Sequence, residues 1–370
     1  MTTQRPAFTP LMASLPSTVP FVGPETQERA SGRPFKARIG ANESGFGPAP
    51  SVIAAIREAA GDTWKYGDPE NYELKVALAA HYGVNANNIV VGEGIDGLLG
   101  LACRLFLNEG DVVVTSLGAY PTFNFHVAAS GGRLVTVPYR DDKEDLDALL
   151  DAAKREKAKI VYLANPDNPM GSWHEAPAIE AFISALPPET LFVFDEAYSE
   201  TAPPSSIPRL DLSRSNILRF RTFSKAYGLA GSRVGYALGA LEVVSAFDKI
   251  RNHFGVNRLG QVAALAALAD QAYLADVVAS IAAARDRIAQ IARENGLTPL
   301  PSATNFVVID CGRDGAYAKQ VLDGLIARDV FVRKPMAPVL DRCIRVSVGK
   351  PADLDAFAQA LPKALAAAKS

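Results

Sequence analysis

The chain reads as an α/β protein, with a largely parallel seven-stranded sheet between helices and a smaller α+β domain after it. Three observations carry that expectation. Seven short apolar runs, rich in β-branched residues and without polar alternation, recur between residues 89 and 239, as strands buried on both faces do. Amphipathic stretches separate them, as helices covering such a sheet would. A length of 370 residues corresponds to about two domains at roughly 150 residues each.

A proline-rich arm, residues 1–35, comes first and is expected to pack on the small domain or on a partner subunit. The strands follow as Ile89-Val-Val91, Asp111-Val-Val-Val-Thr-Ser116, Arg133-Leu-Val-Thr-Val137, Lys159-Ile-Val-Tyr-Leu163, Leu191-Phe-Val-Phe-Asp195, Ile217-Leu-Arg-Phe-Arg221 and Gly235-Tyr-Ala-Leu-Gly239. Helical periodicity over 97–108 and 145–156 supplies covering helices. Near residue 250 the composition shifts, which sets a large domain at 36–250 and a small C-terminal one at 251–370. The alanine-rich stretch 261–295 has helical spacing and stops at Asn295-Gly296, a helix-ending pair. Strand patterns at 305–310, 330–333 and 344–348 and a helix near 316–328 complete the small domain. No fixed-period repeat interrupts the chain.

Composition excludes several classes of function. Thirty-eight Lys and Arg against 40 Asp and Glu leave a net charge of −2, too little positive charge for sequence-independent nucleic-acid binding. Apolar runs fall far short of the ~20 residues that span a bilayer, so no membrane partner is expected. Cys103, Cys311 and Cys343 are widely spaced and form no Cys-x-x-Cys pair. The four histidines stand apart, so neither a disulfide framework nor a metal site is expected. The proline-broken N-terminus lacks the apolar core of a signal peptide. A cytoplasmic enzyme fits these features.

Ligands of open parallel sheets bind beyond the carboxyl ends of the strands, and those ends carry the chemistry here. Gly92-Glu-Gly94-Ile-Asp-Gly97 opens a helix after the first strand. Later strands lead into Ala119-Tyr-Pro-Thr-Phe123, Asn165-Pro-Asp-Asn168-Pro-Met-Gly171, Asp195-Glu-Ala-Tyr198 and Thr222-Phe-Ser224-Lys225, with Arg233 eight residues on. The glycine motif matches a dinucleotide fingerprint, yet that reading needs an acid near the end of the next strand. The next strand ends in Val-Thr-Ser116, and its acid, Asp111, stands at the other end. A simpler function remains for the motif: unpaired N–H groups of Ile95 and Asp96 at a helix start suit a phosphate. A phosphorylated cofactor that also uses a lysine and a carboxylate is pyridoxal 5'-phosphate, whose aldehyde takes the amine and whose ring nitrogen takes the acid. Lys225 and Asp195 are the candidates.

These residues, with Ala41-Asn-Glu-Ser-Gly-Phe-Gly-Pro48, Tyr66-Gly-Asp-Pro69 and Arg345-Val-Ser-Val-Gly349, resemble fold-type I pyridoxal-phosphate aminotransferases, nearest the histidinol-phosphate aminotransferase group. The resemblance runs from about residue 41 to 349. It implies the transferase fold of that type, catalytic roles for Lys225, Asp195 and Tyr198, and a cofactor site. That site would add Asn168 at the ring phenolate oxygen and Phe123 stacked on the ring. Thr222, Ser224, Arg233 and the Ile95 and Asp96 amides would hold the phosphate. It further implies a homodimer in which Tyr66 reaches the phosphate from the partner subunit. Arg345 would receive the substrate's anionic group, assisted by Arg333, with Asn42 and Asn305 near the substrate.

Each residue also has a plainer reading. Most lysines are solvated, Asp195 has the form of a helix cap, and an isolated Phe is most often core. Asn42, Asn168 and Asn305 are also common turn formers. The chain departs from the group twice, with Phe21 in the arm where the group carries a substrate-binding tyrosine, and with Asp167 and Met170 in the Asn-Pro-Asn-Asn-Pro-Thr-Gly motif. The expected reaction passes an amino group from a donor, glutamate by expectation, to a keto acid or imidazole-acetol phosphate. The alternatives are a decarboxylase resembling threonine-phosphate decarboxylase and, more distantly, an NAD-dependent oxidoreductase.

Overall fold

A computed structural model describes residues 6–17 and 22–368. Its strands are β1 (Ala37–Arg38), β2 (Ile89–Gly92), β3 (Val112–Ser116), β4 (Arg133–Val137), β5 (Ile160–Ala164), β6 (Leu191–Asp195), β7 (Ile217–Thr222), β8 (Gly235–Gly239), β9 (Thr298–Pro299), β10 (Phe306–Asp310), β11 (Val330–Phe331) and β12 (Cys343–Ser347). Seven of them form one sheet in the order β2-β8-β7-β6-β5-β3-β4. All pairs are parallel except those that β8 makes with β7 and β2. Since β2 opposes β8, it points the same way as the others. Six carboxyl ends therefore share one edge, and β8 begins at that edge.

The unalternating runs form strands because both of their faces are covered. All five residues of β5 and all five of β6 are buried. Tyr162 and Val193 face a core shared with Leu98, Leu99 and Phe123, whereas Val161, Leu163, Phe192 and Phe194 face one shared with Leu149, Ile179 and Phe182. The helix Gly94–Phe106 starts two residues after β2 ends, and it places the glycine motif at the carboxyl edge. Chain neighbours β2 and β3 are separated in the sheet by four strands. A dinucleotide unit needs those two strands side by side, so the oxidoreductase alternative loses its structural basis.

The C-terminal unit pairs the sheet β12-β10-β9 with the helices Gln271–Glu294, Gly315–Ile326 and Pro351–Ala367. Packing moves both of the expected boundaries. β1 pairs in parallel with β11, and Ala37 and Ile39 join the core of the C-terminal unit. The helix Arg258–Ala269 instead buries Ala263, Ala264 and Leu268 with Val52, Leu74 and Phe223 of the large unit. The long-range burial of apolar faces decides these memberships, and a change in alanine content does not report it. The arm helix Pro24–Ser31 is tied to β1 through Glu28, which accepts from Phe35 N at 2.8 Å and pairs with Arg38. Among the described residues no single helix is long and apolar enough to cross a membrane.

Candidate active site

The shared edge opens into a cavity of about 350 Å³. Ile95, Asp96, Asn168, Asp195, Tyr198, Thr222, Ser224, Lys225 and Arg233, expected from scattered motifs, all line it. They meet because each stands at or just beyond a strand end on one edge. Arg233 arrives by the one reversed strand, in the turn immediately before β8.

Asp195 closes the floor. Its Oδ1 accepts from Ala197 N at 2.9 Å and its Oδ2 from the Tyr162 hydroxyl at 2.7 Å. Burial raises this carboxyl to about 6, while the hydrogen bonds from Tyr162 and Ala197 and the charge of Lys225 oppose the rise. Lys225 lies across the cavity with Nζ 3.2 Å from the Asn42 carbonyl oxygen and 5.6 Å from the centre of the Tyr198 ring. Burial, then the nearby Arg345 charge, lowers its amine to about 8. A lysine so perturbed is close to half neutral at mildly alkaline pH and so suits nucleophilic and acid–base work.

Asn42 takes a left-handed conformation (φ 56°) that turns its side chain onto two partners. Its Nδ2 donates to Tyr198 at 3.2 Å, and its Oδ1 accepts from Ser347 Oγ at 2.9 Å. Asn305 Nδ2 donates to the Asn42 carbonyl at 2.9 Å. Both asparagines thus brace Lys225 and Tyr198 from behind. Arg345 Nη1 donates to Asn168 Oδ1 at 2.6 Å, while its Nε is buried with no partner among the described residues. A buried guanidinium donor left unpaired is suited to an incoming anion. Arg333 meets β12 in an isolated bridge with Arg345, and its Nη2 donates to the Val22 carbonyl at 3.0 Å.

At the phosphate end, Ser224 N donates to Thr222 Oγ1 at 3.1 Å, and the two hydroxyls lie 2.9 Å apart. The Ile95 and Asp96 N–H groups fall in the first turn of their helix, where no intrahelical acceptor exists. A Cβ on Gly94 would stand 2.4 Å from Arg233 Nη2, and one on Gly235 would stand 2.7 Å from Ile95 N. Both glycines keep this cradle open, and Gly94 also holds φ +76°.

One expectation comes out differently. Phe123 does not reach the cavity; it is fully buried and stacks on Tyr162 with ring centres 4.5 Å apart. Three residues into its helix, it faces the sheet, and the aromatic that lines the cavity is Tyr120, whose hydroxyl donates to Asp96 Oδ1 at 3.2 Å. The Ala-Tyr-Pro-Thr-Phe stretch offered both rings, and the start of the helix selects between them. Tyr66 stands outside the cavity, 78% exposed against Phe254. Met170 is buried in the core and does not line the cavity. Phe21 lies outside the described residues. Sequence reasoning also missed Tyr162, an interior strand residue whose pairing with Asp195 depends on strand adjacency. It missed Glu43 too, which lines the cavity mouth. Among the described residues no cluster of His, Cys, Asp or Glu could hold a metal.

A sheet edge that gathers a lysine, a buried acid and free helix N–H groups around one cavity fits a pyridoxal-phosphate enzyme. The model of the aminotransferase class I and II family matches residues 36–361, and the chain belongs to that family. It is 34% identical to a histidinol-phosphate aminotransferase of Moorella thermoacetica over 95% of this chain and 92% of the relative. It is 37% identical to histidinol-phosphate aminotransferase 1 of Mesorhizobium japonicum, over 89% and 90% of the two chains. Its structure is similar to a crystal structure of histidinol-phosphate aminotransferase from Sinorhizobium meliloti in complex with pyridoxal-5'-phosphate, with a TM-score of 0.96 and 58% identity over 99% of each chain.

Proposed function

We propose that this chain is a pyridoxal-phosphate-dependent aminotransferase acting on histidinol phosphate and its keto counterpart, imidazole-acetol phosphate, with glutamate as the paired amino donor. The observation that carries this reading is Lys225 and Asp195 facing one cavity whose far end is a glycine-cleared anion cradle. The residues fit the cofactor: an amine lowered to about 8, a buried carboxyl at the floor and free helix N–H groups at the opposite end. The cofactor, when bound, supplies an electron sink for the electrons freed at the substrate α-carbon.

The chain's own side chains do the rest. Lys225 Nζ would hold the aldehyde and, when free, would take a proton from the substrate and return it, steered by the Asn42 carbonyl. Asp195 would pair, ionised, with the ring nitrogen. Tyr198 and Asn168 would hold the ring hydroxyl, with Tyr120 beside the ring. Thr222, Ser224, Arg233 and the Ile95 and Asp96 amides would hold the phosphate. Arg345 receives the substrate's anion, with Arg333 assisting. The named relatives favour amino transfer over the decarboxylase alternative.

A second copy completes the site in this reading. Trp64, Tyr66, Tyr72 and Phe254 are all exposed in one chain, and such aromatics are enriched in interfaces. Tyr66 of the partner subunit would reach the phosphate. The protein should sediment as a dimer, and mixing inactive Lys225→Ala with Tyr66→Ala chains should restore part of the activity.

Purified protein should absorb in the visible, and borohydride should fix the cofactor on Lys225. Addition of histidinol phosphate or glutamate, without the partner substrate, should bleach that absorbance. A protein that stays colourless with added cofactor overturns the reading. Release of carbon dioxide without a keto product would establish the decarboxylase instead.

A further inference from the structure

Two acids that the reaction does not use lie behind the substrate-anion site. Asp167 is 2% exposed and Glu144 1%, and neither has a salt-bridge partner among the described residues. Glu144 Oε2 accepts from Ser116 Oγ at 2.6 Å and its Oε1 from Ala164 N at 3.0 Å. Asp167 Oδ1 accepts from the Tyr139 hydroxyl at 2.9 Å and its Oδ2 from Met170 N at 3.0 Å. Glu144 therefore pins the end of β5, and Asp167 pins the loop 165–171 that follows it. That loop carries Asn168, whose Oδ1 holds Arg345 Nη1 at 2.6 Å.

We propose that Asp167 and Glu144 form a carboxyl pair sharing one proton, and that Asp167 acts as a positioning residue that makes substrate-anion binding at Arg345 depend on pH. The inference rests on Arg345 being the anion receptor. Each carboxyl feels the other, and two buried acids without a salt-bridge partner cannot both ionise cheaply. Burial, first, and then Asp167 push Glu144 well above the ordinary carboxylate range, and burial takes Asp167 to about 7.

Other groups also face the pair. Asp167 feels Arg345 on β12, while Glu144 feels Asp195 at the end of β6. The Tyr139, Tyr162 and Tyr198 hydroxyls feel one or both acids. His174 contacts the Glu144 backbone carbonyl at 2.8 Å, and its ring feels Lys143 and Asp145. Of these, burial holds the tyrosines above the neutral range and His174 below its ordinary value, so neither kind supplies a charge that changes near neutrality. Below about pH 7 the pair is uncharged, and above it Asp167 is ionised while Glu144 keeps the one remaining proton. That charge appears behind Asn168 and weakens the field that Arg345 presents to an anion.

The test measures sulfate, whose charge is constant over the range, as an inhibitor competing with the substrate on the holoenzyme from pH 6 to 8.5. In the wild type, sulfate affinity should fall on the order of a hundredfold across that range, the effect of a unit charge on a dianion at about 10 Å and an effective dielectric of about 20. Asp167→Asn keeps an acceptor for Met170 N and offers an N–H to Glu144, so its affinity should be far flatter. The titrations of Asp195 and Lys225 are common to both proteins and cancel in the comparison. Infrared difference spectra should show a protonated-carboxyl band in the wild type that is absent from Asp167→Asn, a signature that a merely structural role would not produce. Sulfate affinity lost in Arg345→Ala with the same pH slope in wild type and Asp167→Asn overturns this inference alone. Sulfate affinity unchanged in Arg345→Ala overturns the assignment of Arg345 and this inference with it.

Discussion

Replacing Tyr162 by Phe removes one hydroxyl from the floor of the site and leaves the packing against Phe123 in place. That hydroxyl donates to Asp195 Oδ2 at 2.7 Å and favours the ionised acid. A hydrogen bond to a charged group contributes about 1.5–3 kcal/mol, and one pKa unit corresponds to about 1.36 kcal/mol. Without the bond, the Asp195 pKa should therefore rise by about 1–2 from its value of about 6. At pH 7 the ionised fraction then drops from about nine-tenths to between a half and a tenth. Affinity for pyridoxal phosphate, measured by titrating the apoprotein and following fluorescence, should fall about two- to tenfold at pH 7. The deficit should widen toward pH 6 and close by about pH 9, where the acid is ionised in both proteins.

Stability follows the same linkage with a definite sign. The folded-state pKa of Asp195 lies above its unfolded value of 3.8, so its contribution to stability is lost as pH rises from about 4 through 6. In Tyr162→Phe the loss continues through about pH 7–8. Urea unfolding of the apoprotein should show the variant about 1.5–3 kcal/mol weaker at pH 8 and near parity at pH 5. Equal cofactor affinities at pH 6, or a deficit that does not change with pH, would refute the reasoning.

Other substitutions probe the remaining parts. Gly94→Ala places a methyl 2.4 Å from Arg233 Nη2 at a positive φ, so cofactor affinity should fall at least tenfold while far-ultraviolet circular dichroism stays unchanged, a loss of at least about 1.4 kcal/mol. The rate of cofactor uptake by the apoprotein should rise about tenfold per pH unit below pH 8 and level above it, because neutral Lys225 is the reacting form. In Arg345→Ala that plateau should begin at higher pH, since the Arg345 charge helps to lower the amine. Glu196 is fully buried and accepts from Arg219 Nε at 2.8 Å and Arg221 Nη2 at 3.1 Å. Glu196→Gln leaves two guanidiniums uncompensated and should cost about 3–5 kcal/mol in chemical unfolding.

Much of the architecture is readable along the chain because its signals are local. A run such as Leu191-Phe-Val-Phe stays apolar on both faces only where helices cover both, and it forms β6 with every residue buried. Asp195, Asn168, Ser224 and Lys225 are legible because a strand followed by a polar turn fixes where side chains of this kind emerge. Glu144 and Asp167 were not legible as partners, since 23 positions separate them and only the neighbouring ends of β3 and β5 bring them together.

Residue order therefore specifies the elements, the edge that carries the chemistry and the kind of groups gathered there. The packed molecule assigns what depends on distance. It sets β8 against its neighbours so that Arg233 reaches the cradle, and it turns Tyr120 rather than Phe123 toward the cavity. It also closes contacts such as Asn42 with Ser347 and Asn168 with Arg345 across 305 and 177 positions. Local propensity acts over a few residues, whereas these choices follow from which apolar faces bury one another and which buried polar groups find partners.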